Sequence, residues 1–97
     1  MPQYPQAAYS TDRDTLYRNT DPTHPDQYLL AGAENDRGFV TCYVHIPVTR
    51  RDGAVVFRAA GRTSIYKRRV LQATGRFVEV PRPFVLVRDD GHEITYG

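Results

Sequence analysis

The sequence has no tryptophan, a single cysteine (Cys42) and a single lysine (Lys67). One cysteine cannot form an internal disulfide, so stability must come from packing or from partners. With only Cys42 and three scattered histidines, His24, His45 and His92, the chain cannot build a zinc framework. No apolar run approaches the roughly 18 residues that span a bilayer. Residues 2–10 are neither basic nor apolar enough for a secretory signal, which leads to an expected cytoplasmic or intravirion setting. At 97 residues, one domain is expected.

Catalytic signatures are also missing. The chain contains no Walker loop, dinucleotide fingerprint, HExxH or GxSxG motif. The 61–64 stretch has one glycine, too few for a phosphate cradle. Cys42 and His45 are three residues apart, and on an extended strand that odd spacing sends them to opposite faces. Cys42 therefore reads as a small core residue. Asp89, Asp90 and His92 have the spacing of a polar hairpin tip, which Asp and Gly favour for backbone reasons. The expectation is a non-enzyme without metal, cofactor or small-molecule substrate.

Charge is abundant and unevenly placed. Residues 1–36 hold two cations against six anions, net −4. Residues 37–88 hold eleven cations against Asp52 and Glu79, net +9, and residues 89–97 are net −3. All the basic residues except Lys67 are arginines, whose forks suit phosphate and carboxylate. A GC-rich genome would give the same excess of arginine, so the layout is more informative than the composition. A basic body between acidic ends points to an acidic partner, or to arm–body pairing within or between copies.

Residues 1–24 read as an extended arm. Pro2, Pro5 and Pro22 break helical structure, and Tyr4, Tyr9, Leu16 and Tyr17 follow no period. Residues 25–97 form the expected small β-rich domain. A short helix is expected over 25–33, with Pro25 at its first position, Asp26 on the dipole, Tyr28, Leu29 and Leu30 on its apolar side, and Gly32 near its end. From residue 39 the pattern alternates. Val40, Cys42, Val44 and Ile46 form the expected core face, opposite Phe39, Thr41, Tyr43 and His45. Asp52-Gly53 turns the chain into a return strand over 54–59, with Val55 and Phe57 facing the core. Residues 62–74 fit either a helix closed by Gly75 or a strand, with the strand preferred for its Thr, Ile, Tyr and Val. If a strand, 73–75 would be a hairpin loop into 76–80. Asp89-Asp90-Gly91 makes a last hairpin into 93–96. The expected fold is mainly β, an antiparallel meander of five or six strands, barrel- or sandwich-like.

A folded body of this size is marginally stable, and its strand edges need cover, so assembly is expected. The candidate partner-binding residues are the arm tyrosines Tyr4, Tyr9 and Tyr17 and the cations Arg50, Arg51, Arg58, Arg62, Lys67, Arg68, Arg69 and Arg76. They support three readings. The first is a non-catalytic assembly or adaptor protein, virion-component-like in architecture only, docking on a protein partner or on copies of itself. The second is a nucleic-acid-binding module in which Tyr43, Phe57, Tyr66 and Phe77 stack on bases between the arginines. The third is an inhibitor that covers a partner's binding surface.

Overall fold

The computed structural model describes residues 9–51, 54–73 and 75–97, without the side chains of residues 50, 51 and 62–64. Among the described residues, β1 (Thr15–Asn19), β2 (Tyr28–Ala31), β3 (Phe39–Arg51), β4 (Ala54–Lys67), β5 (Phe77–Glu79), β6 (Phe84–Val87) and β7 (Glu93–Tyr96) form one open sheet. A short helix, α1 (Arg68–Ala73), follows β4. The strand order is β5-β1-β2-β3-β4-β6-β7. The protein is mainly β, as its alternating segments require, but seven strands replace the expected five or six, and they do not form a meander. After β4 the chain crosses to the far side of β1, lays down β5 antiparallel to it, and returns so that β6 pairs parallel with β4. Parallel neighbours need such a crossover, which α1, β5 and the Pro81–Pro83 stretch supply. The expected hairpin from 73–75 into 76–80 is therefore not formed.

Both faces of the sheet are covered. On one face Tyr17, Leu29, Ala31, Val40 and Cys42 pack with Leu71 of α1 and Phe77 of β5. On the other, Leu16 and Leu30 pack with Phe57, Phe84, Leu86 and Tyr96. The second cluster joins strands from opposite ends of the strand order, so the sheet rolls and this face is concave. A cross-link holds the roll: the Tyr96 hydroxyl donates to Asp14 Oδ2 at 2.5 Å, while the Val80 N–H, donating to the Leu16 carbonyl at 2.8 Å, extends the β5–β1 ladder. The sheet nevertheless remains open, with β5 and β7 at its edges. It is neither a closed barrel nor a sandwich of two sheets. The rings of Phe84 and Tyr96 stack at 4.8 Å, and Phe57 meets Phe84 edge-on at 6.3 Å. Each ring buried in this way contributes about 1.5–3 kcal/mol.

Double-sided burial corrects the expected arm and the expected helix. Residues 15–19 were expected in an extended arm. They form β1, an interior strand flanked by β2 and β5, with Leu16 on the concave face and Tyr17 on the convex one. Residues 1–8 lie outside the described residues. The expected helix over 25–33 is replaced by turns and β2. Asp21 Oδ1 accepts from the Thr23 N–H at 2.9 Å, which makes a side-chain turn rather than a helix cap. Leu29 and Leu30 are then both buried, on opposite faces, a pattern that neighbouring residues reach on a strand and not on one helical stripe.

Elsewhere the sequence pattern and the fold agree in part. The ambiguous 62–74 stretch is strand as far as Lys67 and helix from Arg68 to Ala73. Val40 and Cys42 are buried as expected, but the facing set is not a solvent face: Tyr43 packs on the concave core and His45 is 0 % exposed. The β3–β4 hairpin forms with three register shifts; its expected tip, Asp52-Gly53, lies outside the described residues. The Asp89-Asp90-Gly91 turn joins β6 to β7, with Gly91 at φ 87°, a conformation that a side chain would strain.

Two stability outcomes follow. Replacing Leu71 with alanine empties the one buried contact of α1 and is expected to cost about 2–5 kcal/mol in a urea titration. Deleting residues 1–22 removes β1 and is expected to abolish the cooperative transition by circular dichroism, whereas a detachable arm would leave it intact.

Candidate binding groove and buried polar cluster

β2 is four residues long and β3 thirteen. The β2–β3 ladder ends at the Tyr28–His45 pair, and β3 runs on to Arg51 paired with β4. Past His45, the side of β3 that faces β1 and β5 therefore borders a groove of about 610 Å³. Pro47, Val48 and Thr49 of β3 and Val55 and Phe57 of β4 form one wall. The other wall is Arg18, Val78, Glu79, Val80 and Pro81, with Tyr28 between them. Its volume is that of an ordinary ligand or peptide pocket, and its walls are largely apolar. Val48 and Val78 are 47 % and 37 % exposed, and both line this groove. A smaller cavity of about 270 Å³ lies beside Asp14, Gly32, Thr41 and Tyr43.

The concave face also encloses a polar cluster. The Ser10 N–H donates to Asp14 Oδ2 at 2.7 Å, the oxygen that also receives the Tyr96 hydroxyl. Burial, then the bond to Asp14, pushes the Tyr96 phenol up. The Tyr9 hydroxyl lies 3.0 Å from His45 Nε2, while His45 Nδ1 lies 3.1 Å from the Tyr43 carbonyl. A carbonyl only accepts, so Nδ1 carries the proton, Nε2 accepts, and Tyr9 donates. Burial holds the His45 imidazolium below its usual range, opposed by the Tyr43 carbonyl and Asp89. Burial first, then Asp89, pushes the Tyr9 phenol up to about 12.

The structure disperses the candidate residues. Tyr17 is core, Tyr9 is docked on its own body, and Tyr4 lies outside the described residues. Arg50, Arg51 and Arg62 lie on β3 and β4, but their side chains are not described. Arg58 is exposed beside the β6 pairing. Lys67 is nine residues further along β4, roughly 30 Å at about 3.3 Å per residue, so the cations that cluster in sequence are spread along the strand. Lys67 Nζ lies 5.3 Å from the Phe39 ring centroid, and Arg68 donates to the Gly32 carbonyl. Arg69 and Arg76 are exposed, with the Arg76 guanidinium 6.0 Å from the Phe77 ring.

The proposed stacking rings are already engaged. Phe57 and Phe77 are buried, and Tyr43 and Tyr66 pack on the two cores. Acidic ends also meet basic body. Thr23 hydrogen bonds, then His24 and Arg76, hold the Asp21 carboxyl below the usual carboxylate range. Asp90 pairs with Arg88 at 3.7 Å and accepts from the His92 N–H at 2.9 Å, as its turn position requires.

Cys42 lies on the convex core and His45 is bonded on the concave side, so the two are separated as their odd spacing requires. Sequence reasoning missed His45 and Asp14. The signal for His45 was present: Phe39 and Tyr43 on its own face made 39–46 apolar on both sides. Among the described residues, no helix is long and apolar enough to cross a membrane. The chain matches no protein-family model, no curated protein and no solved structure.

Two measurements test this arrangement. Tyr96→Phe is expected to lower stability by about 1–3 kcal/mol, because it strands part of a buried carboxylate, while Thr95→Val on the exposed side of β7 should change little. The Cys42 thiol, pushed up to about 11 by burial, should resist maleimide in the native protein and react fully on unfolding in urea.

Proposed function

We propose that this chain is a non-catalytic docking module of the assembly or adaptor type, which takes an extended segment of a protein partner into the groove beside β3. The supporting observation is the mismatch between β2 and β3, which leaves an apolar slot where a further strand would lie. An added strand gains affinity from the backbone edge and specificity from alternate side chains in pockets. Pro47 has no N–H to give, so the pairing would rest on its neighbours. The strands around the slot carry Arg18, Arg50, Arg51 and Arg58 against Glu79, which favours a segment that alternates apolar and acidic residues.

The same docking makes the protein an inhibitor wherever the partner's segment belongs to a working surface. Nucleic-acid binding rests on charge alone, since the rings that would stack are packed in the cores.

Peptides selected by phage display on the full chain should alternate apolar and acidic residues. They should lose at least about tenfold in affinity on the Val48→Asp/Val78→Asp variant. Equal binding to wild type and variant overturns the groove. Tight binding of single-stranded DNA or RNA at ~50 mM salt, weakened by alanine at Lys67, Arg68 and Arg69, would favour the nucleic-acid reading instead.

A further inference from the structure

We infer that the Tyr9–His45 contact is an acid-released latch that holds the N-terminal segment against the concave face. His45 is fully buried, yet its ring nitrogens have specific partners on two different parts of the chain. The Nδ1 bond to the Tyr43 carbonyl stays within β3 and suits both the neutral and the charged ring. The Nε2 contact with Tyr9 reverses on protonation: Nε2 becomes a donor, and the Tyr9 hydroxyl must turn its own proton away and accept while the fully buried ring carries a charge.

The surroundings make the charged ring costly while the latch is closed. Tyr9 covers His45 edge-on, with ring centroids 5.9 Å apart. The Arg88 guanidinium sits 5.8 Å over the other partner of this contact, the Tyr9 ring. Across the ladders from His45 are Tyr28 of β2 and Ala59 of β4, and the cation next to Ala59, Arg58, is exposed. Asp89, in the β6–β7 turn, favours the imidazolium but does not outweigh burial. Asp14 acts on Tyr9 from the β1 side.

The sign of the pH effect follows. The latched His45 titrates below the ordinary histidine value, and a released, solvated His45 titrates near it. The latch is therefore fully favoured above about pH 6.5 and weakens as pH falls through the window below. Release turns Tyr9 outward and makes it available to a partner. The body keeps its fold, because β1 begins at Thr15 and is held by β2 and β5.

A nitroxide on full-length Ala8→Cys reports the release directly, since buried Cys42 does not take the label. The spectrum is expected to sharpen between about pH 6.5 and about pH 4.5, with circular dichroism unchanged. His45→Gln should remove this transition, and Tyr9→Phe, which keeps the ring, should leave the label mobile at neutral pH. The inference is overturned if label mobility does not change with pH while the fold persists. It is equally overturned if His45→Gln shows the same transition, which would assign the titration to the neighbouring carboxylates. None of these outcomes depends on the groove.

Discussion

Burial on both faces of β1, β2 and β3 is the constraint from which the architecture follows. Leu16 and Leu30 project to one side while Tyr17, Leu29, Ala31, Val40 and Cys42 project to the other, so neither side can be left to water. A short chain has too little material for separate layers on each side. It covers the convex face with one turn-and-a-half of helix and the ring of Phe77, and it covers the concave face by rolling the sheet until β6 and β7 meet β1. The Asp14–Tyr96 bond sits where the roll comes together, and the same carboxyl oxygen accepts from the Ser10 N–H.

Unequal strand lengths then create the surface. In a sheet whose strands matched, every edge would be paired or outermost. Here a four-residue strand lies beside a thirteen-residue one, and the remainder of β3 has β4 on one side and the groove on the other. The exposed valines, 48 and 78, lie at this mismatch, whereas most of the other valines in the strands are buried or half-buried. The groove is thus a consequence of how the roll is built.

Charge behaves differently in three dimensions than along the chain. Folding brings Asp21 of the acidic N-terminal region near Arg76 of the basic body, while Asp90 pairs locally with Arg88 in the β6–β7 turn. The N-terminal segment contributes differently again: Tyr9 is held by a neutral hydrogen bond and a ring contact, with Arg88 over its face, and the fit depends on the protonation of one buried histidine.

The sequence by itself determined the class of fold, the β3–β4 and β6–β7 hairpins, the separation of Cys42 from His45 and the polar turn at Asp89-Asp90-Gly91. These depend on period-two alternation and on turn chemistry, both of which act between neighbours. Only the tertiary structure decided that residues 15–19 are an interior strand, that Leu29 and Leu30 face opposite ways, and that β5 crosses to pair with β1. Single short strands have weak local signals, and their pairing is chosen by partners far along the chain. Likewise, the groove and the buried Tyr9–His45 contact arise from where strands end and what lies 36 residues away, which no local pattern records.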